Sequence, residues 1–416
     1  MLSAAEKNRK INHGAEIVFV LCLIGYTALM YRLFYLQALH CGIRDSYVSD
    51  IKAYLQTIMG LESGYDFPYP VYFAFGKFFL LFTNVAVAGA LAAALLNSLG
   101  VVILYYYMQK ALREYAKGTV FENYGGFIAV FLSFSMFFVS MLYLPGGMYL
   151  PGLGRKYLGT FTPNPYHNIT YMATRPFATL AFFQFVRILD YYEEKTNVKE
   201  FCLFGLSLLL TTMTKPSYTL VLVSTAGLLM LYRLFRSKGK TFKRAFYLGL
   251  AFVPTFIDLL YQFGGVFGAH SQAGEEGGIG FGFGSVWKLY TGNIPFSAAL
   301  AMGFPLLVLV LHLGELKKNM LYRFSWAQLI VSAGEFFLLY EKGRRFADAN
   351  FSWGYMHGLF FVFVASLLVL AEDMMRKRGK TGIPVLCLQW LAFGGHLLCG
   401  AVYFFYVWRG NPYHLF

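Results

Sequence analysis

Eleven apolar runs, several of about 18 residues or more, constrain this chain more than any other feature of its sequence. A helix needs roughly 20 apolar residues to cross the hydrocarbon core of a bilayer, and no soluble domain keeps many such runs away from water. At 416 residues the length alone would suit two or three soluble domains. Composition excludes that: only 13% of residues are charged and 57% are hydrophobic, against roughly 25% charged in an ordinary soluble domain. The same numbers exclude disorder, collagen, a coiled coil and a disulfide-stapled secreted fold. A β-barrel would show short alternating segments instead of continuous runs. The expected fold class is therefore all-α, a polytopic integral membrane protein, with residues 1–416 forming a single transmembrane domain. The spans fall near 15–38, 82–108, 124–143, 172–190, 200–214, 216–233, 245–262, 296–314, 321–340, 354–371 and 383–408. The fifth and sixth share one apolar stretch that Lys215-Pro216 interrupts.

The net charge of +14 would be a nucleic-acid footprint if it were gathered on one soluble face. It is not. Lysine and arginine concentrate in segments 1–14, 109–119, 187–200, 233–244, 315–323 and 372–380, which hold 22 of the 35. With the N-terminus cytoplasmic, all six lie inside, as topogenic basic loops do. The C-terminus is then extracytoplasmic, and no nucleic-acid partner is expected. The run after Met1–Gly14 is too long for a signal-peptide core and reads as a retained first span. Four of the five cysteines fall in apolar runs, so neither a disulfide framework nor a CxxC metal motif is present.

This topology places the long, chemically varied loops outside, at about 39–81, 144–171, 263–295 and 341–353, while the inside connections are short and merely basic. The working site is expected on the extracytoplasmic face. Arg32, Asp258 and Glu335 lie toward the outer ends of their spans, which argues against a mid-membrane ion path. In the first loop, Ser49-Asp50 precedes Ile51, Tyr54, Leu55 and Ile58, the start of a short amphipathic helix. Asp50 is either the cap of that helix or a general base; Asp45 is its alternative in the same loop. In the second loop, Asn164, His167 and Asn168 cluster beside Pro163 and Pro165, with donors and acceptors suited to sugar hydroxyls or a phosphate, or simply a rigid turn. A single histidine there makes no zinc site. Asn168-Ile-Thr170 matches a glycosylation acceptor pattern. Arg175 and Lys215, each near an outer helix end, are snorkelling cations or phosphate ligands. Glycine-rich Gly277–Ser285 reads as a flexible lid, with His270, Glu275 and Glu276 solvated beside it. In the fourth loop, Glu341, Arg344, Arg345 and Asn350 crowd a short segment whose arginine pair suits phosphate, while Trp353 and Tyr355 fit an interfacial belt.

Across residues 15–115 the order of features is a first span, an acidic outer loop with an amphipathic helix, then the Pro-aromatic entry Phe67-Pro68-Tyr69-Pro70 into the next helix. That order resembles the membrane-embedded GT-C glycosyltransferases, whose relatives include protein mannosyltransferases, lipid A aminoarabinose transferases and oligosaccharyltransferase catalytic subunits. The resemblance implies a glycosyltransferase that moves a sugar from a polyprenyl-phosphate-linked donor to a glycan, lipid or protein acceptor. It implies that Asp50, or Asp45, is the catalytic base or a metal ligand, and that Arg175, Lys215, Arg344 and Arg345 face the leaving phosphate. The chain departs from the family in having no DxD or adjacent Asp-Glu pair in this loop, and in carrying Tyr69-Pro70 where some relatives have His-Pro-Pro. No organic cofactor is expected, and a need for a divalent metal stays open. Two rivals are an O-antigen-type polymerase or ligase relying on arginines, and a non-enzymatic transporter of lipid-linked saccharides.

Overall fold

The computed structural model of the chain describes residues 4–143, 160–267, 277–376 and 382–415. Away from water every backbone N–H and C=O needs a partner within the protein, and a helix supplies one along its own segment. In chain order come α1 (Ala4–His40), α2 (Ile51–Ile58), α3 (Val71–Leu80), α4 (Val85–Ala116), α5 (Gly125–Ser135), α6 (Ile169–Leu189), α7 (Val198–Thr212) and α8 (Ser217–Arg236). Then follow α9 (Phe242–Leu250), α10 (Val253–Phe267), β1 (Ile279–Phe281), α11 (Ile294–Leu311), α12 (Met320–Leu338), β2 (Leu339–Glu341), α13 (Ser352–Met375) and α14 (Ile383–Trp408). Five of these helices start on an asparagine whose side chain accepts from the backbone N–H three residues on: Asn84, Asn168, Asn197, Asn293 and Asn319.

The expected spans overlap these helices, that near 245–262 covering two of them, α9 and α10. Six are long and apolar enough to cross a bilayer, namely α1, α4, α8, α11, α13 and α14, and α9 with α10 makes a seventh if the pair, bent by 49°, counts as one. The protein is thus an all-α membrane protein by the length and composition of its helices. At its centre lies α13, whose apolar window is wholly buried. It packs against α4, α8, α11, α12 and α14, as a helix apolar on all sides must if it is not to face lipid. Helix α6 packs against α4 and α7 and, at 21 residues, is about 31 Å long. Its N-terminus and those of α8 and α13 gather at one end of the bundle. The described basic residues Arg113, Arg187, Arg233 and Arg376, ion-paired with Glu16, Glu200, Glu193 and Glu114, lie at the other.

Another expected span departs from a continuous helix. The run 124–143 is continuously apolar, yet α5 stops at Ser135 and residues 136–143 turn inside the protein. Non-helical backbone at this depth survives only where other groups satisfy it. Asn164 Nδ2 donates to Met136 O at 3.0 Å and to Val139 O at 2.7 Å, and Tyr166 Oη donates to Phe137 O at 2.8 Å. His396 Nδ1 donates to Ser140 O at 2.6 Å, while its Nε2 accepts from the Phe304 N–H at 3.1 Å. That N–H is released by a kink in α11 at Met302, whose freed Leu300 carbonyl takes the Leu142 N–H at 3.0 Å. Gly400 on α14 makes room for the turn: a Cβ there would stand 1.6 Å from Phe138 O.

Gly400→Ala should therefore destabilise the protein by about 3 kcal/mol or more, the upper end for overpacking, and lower its thermal midpoint in detergent. Gly394→Ala on the same helix, where a Cβ meets nothing within 4 Å, is the matched control and should leave the midpoint unchanged.

Candidate functional site

The site is organised by the cap of α6. Asn168 Oδ1 accepts the Tyr171 N–H at 2.9 Å, which fixes the plane of the amide and aims Nδ2 away from the helix. That Nδ2 donates to Asp50 Oδ2 at 2.7 Å. Asp50 occupies the N-cap position of α2 but makes no side-chain cap bond, so its carboxylate serves the open side. Its own N–H donates to His167 O at 3.2 Å. Desolvation by the surrounding residues raises its pKa to about 6, against the opposing pull of Lys215 and Asn168, although the residue keeps exposed surface toward the open side.

Lys215 arrives from the break between α7 and α8, where Pro216 supplies no N–H to continue the helix. It is buried, with its Nζ 3.4 Å from Asn168 Oδ1 and 3.3 Å from Thr170 Oγ1, both long contacts. It lies 5.1 Å from the Trp353 ring centre and 6.0 Å from that of Tyr69. Among the described residues no carboxylate stands within ion-pairing distance of it. Burial lowers its pKa to about 8, with Asp50 acting against that shift. Tyr54 Oη shares Thr170 Oγ1 at 3.1 Å. His167 is buried and neutral, its pKa lowered to about 3 by burial first and then by Lys215 and His414.

The segment after β2 forms the opposite wall. Arg345 Nε and Asn350 Nδ2 both donate to Glu341 Oε2, each at 2.7 Å, and Trp353 Nε1 donates to Asn350 Oδ1 at 3.2 Å. Strand β2 is held by β1 in antiparallel register, Ile279 opposite Glu341. Gly280 is required there, since a Cβ would meet the Tyr340 ring at 2.4 Å. The described part of the glycine-rich run is thus a clip pairing with β2 rather than the free lid expected; His270, Glu275 and Glu276 lie outside the described residues.

These walls enclose a polar chamber of about 470 Å³, lined by Asp50, His167, Asn168, Lys215, Arg345, Asp348 and Asn350 among aromatic side chains. Beside it runs an apolar groove of about 320 Å³, lined by Pro68, Leu220, Phe256, Leu259, Leu260 and Phe263. The two meet at Tyr69, Lys215, Arg345, Asn350 and Trp353. A wider cleft of about 920 Å³ lies at the other end of the bundle. Its charged groups include Arg187, bonded to Glu200 at 2.7 Å, and Glu372, 3.9 Å from Arg376.

The chamber brings together six of the sequence candidates: Asp50, His167, Asn168, Lys215, Arg345 and Asn350. Glu341 lines the groove and orients Arg345. Asp45 is exposed in a single turn at Ile43–Asp45, and Arg344 is exposed and lines neither cavity. Asn164 turns inward to clamp the backbone of residues 136–139. Arg175, two turns below Asn168, is buried; its Nη2 donates to Pro163 O at 2.8 Å and its charge rests among Phe137, Tyr171 and Phe360. It anchors the loop rather than lining the chamber. Asn168, buried and bonded, is not an accessible glycosylation acceptor. Sequence reasoning overlooked Tyr54, Tyr69, Tyr290, Asp348 and Tyr413, and read Trp353 as a belt residue; the density of aromatics in the outer loops was the available signal. Among the described residues no group of three or more His, Cys, Asp or Glu is arranged to hold a metal ion. No protein-family model matches the chain, and no curated protein or solved structure matches it.

Asn168→Ala removes a helix cap together with the bridge to Asp50, and should cost about 1–2 kcal/mol in thermal or denaturant unfolding. Asn168→Asp keeps the cap acceptor but sets a second carboxylate beside Asp50. It should retain most stability while moving the Asp50 titration, followed by infrared carboxyl bands, upward from about 6.

Proposed function

We propose that the protein is a glycosyltransferase of the cell membrane that moves a sugar from a polyprenyl-phosphate-linked donor to an acceptor hydroxyl, at a site on the extracytoplasmic face. The observation that carries this reading is the junction of the polar chamber with the apolar groove at Lys215. A lipid-linked sugar is apolar along its chain, anionic at one phosphate and polar beyond it, and the cavities present those environments in that order. Phe256, Leu260 and Phe263 keep exposed surface at the groove, on a helix suited to face lipid.

In this mechanism the acceptor hydroxyl gives its proton to Asp50 as its oxygen bonds the anomeric carbon. The bond from that carbon to the phosphate oxygen breaks, and the electron pair leaves with the lipid phosphate, stabilised by Lys215 and by Arg345 at the junction. A phosphate departs without a general acid, so one carboxylate suffices. Asn168 holds base and cation at a fixed separation. The reading carries with it about eleven crossings, a cytoplasmic N-terminus and an extracytoplasmic C-terminus. Supporting that arrangement, Arg187, Arg233 and Arg376 stand at the ends of α6, α8 and α13 opposite the chamber. An arginine-dependent polymerase or ligase fits less well, because among the described residues a single arginine, Arg345, lines the chamber, beside a carboxylate and a lysine. The resemblance to GT-C enzymes agrees with this assignment but does not carry it.

In proteoliposomes given labelled polyprenyl-phosphate sugars, Asp50→Asn should reduce transfer by on the order of 10²–10⁴-fold without altering expression or the thermal midpoint. Persistence of transfer in that variant would remove Asp50 from the chemistry, and movement of intact donor across the bilayer would favour a carrier. The wild-type pH profile of kcat/KM should be bell-shaped. Asp50 must be deprotonated, so activity rises through about pH 6; Lys215 must be charged, so activity falls through about pH 8. Lys215→Arg, which stays protonated, should abolish the alkaline limb while keeping the acidic one.

A further inference from the structure

The polar chamber has two unlike ends. One is the junction with the groove, at Lys215, Arg345 and Trp353. The other is made of residues the groove does not share, among them Ser49, Lys52, His167 and Tyr413. Tyr413 comes from the segment after α14, and its arrival is built into the backbone. The Tyr47 N–H donates to Gly410 O at 2.8 Å. Gly410 has φ +95°, and a Cβ there would lie 2.7 Å from the Tyr47 ring, so only glycine allows this turn. Asn411 Nδ2 closes the end of α14 by donating to Tyr406 O at 3.0 Å. The chain then makes a single turn at Tyr413–Leu415, which lays the Tyr413 ring on His167 with centres 3.7 Å apart and planes 6° from parallel. The His167 carbonyl in turn takes the Asp50 N–H at 3.2 Å. One ring stack on His167 and one backbone hydrogen bond from Asp50 to His167 therefore tie Tyr413 to the segment that carries the Asp50 carboxylate.

We propose that Tyr413 is a positioning residue for the acceptor: with His167 behind it, its ring is the wall against which an acceptor sugar rests with one hydroxyl over Asp50. This rests on the glycosyltransferase reading and deepens it by naming the acceptor as a carbohydrate. The donor occupies the groove end, so the acceptor takes the other. A flat aromatic wall matches the C–H face of a sugar ring, and the neighbouring Ser49, Lys52 and Asp50 supply partners for its hydroxyls.

The test separates stacking from mere support. With saccharide acceptors in proteoliposomes, Tyr413→Ala should raise the acceptor KM about three- to tenfold, the range of one aromatic stack. The donor KM should stay unchanged. Tyr413→Phe and Tyr413→Trp, which keep the ring, should restore the acceptor KM, and this rescue is what a general loss of folding would not give. A second readout needs no turnover. In a background with the native cysteines replaced by alanine, Ser49→Cys should react faster with a charged maleimide when Tyr413 is alanine, and at the wild-type rate when it is phenylalanine. Equal change in both KM values, no change in either, or labelling that ignores Tyr413 overturns the proposal. Wild-type protein that transfers sugar from no donor overturns the glycosyltransferase reading itself, a result distinct from transfer that is indifferent to Tyr413.

Discussion

The side-chain amide of Asn168 is the contact on which the candidate site depends. Its oxygen caps α6 and also faces the Lys215 ammonium, and its nitrogen holds the Asp50 carboxylate. Opposite charges brought this close in a low-dielectric pocket would ordinarily collapse into an ion pair and neutralise each other's reach. The amide prevents that by standing between them, satisfying one proton acceptor and one donor with its two ends. A carboxylate and an ammonium are thereby kept in the same chamber, each still open to something else. Because the amide is locked by the helix it caps, the spacing is inherited from α6 and not from a loop.

The second constraint is the adjacency of unlike cavities. Polar walls and apolar walls rarely share lining residues, because water stabilises one and is unfavourable beside the other. Here they share Tyr69 and Trp353, whose rings have an apolar face and a polar edge, together with Lys215, Arg345 and Asn350. Amphipathic side chains suit such a boundary. The β1–β2 clip fixes one side of it by holding Glu341, through which Arg345 and Asn350 are both oriented.

Much of this was legible in the sequence, and the omissions have physical causes. Hydropathy located the helices because burial in hydrocarbon demands long apolar runs. It misread residues 124–143 because a half-helix followed by a buried turn is as apolar as a full span; its polar partners, Asn164, Tyr166 and His396, are remote in the chain. The same remoteness explains Asn164, which a reader of the loop takes for a sugar ligand until the carbonyls it serves are seen. Arg175 was misjudged because its distance from the helix start, not its identity, decides whether it reaches the chamber. Asp50 was recognisable as a cap-position carboxylate, but only the geometry shows that it declines the cap. Lys215 was marked by the proline after it. Tyr413 carried no local signal, since its place depends on the turn at Gly410.

The turn after α5 also bears on how the chain is made. As it emerges from the ribosome, the run around 124–143 has the length and apolarity of an ordinary span, and nothing in it directs otherwise. The groups that hold its non-helical form are synthesised later: Asn164 and Tyr166 about one helix on, His396 and Gly400 only within α14. Until that last helix is in place, the exposed carbonyl of Ser140 has no imidazole to meet it, and a straight helix is the better alternative. The shape of residues 136–143 is therefore a property of the assembled bundle and not of the segment itself, since it draws on groups from the loop before α6 and from α14 together.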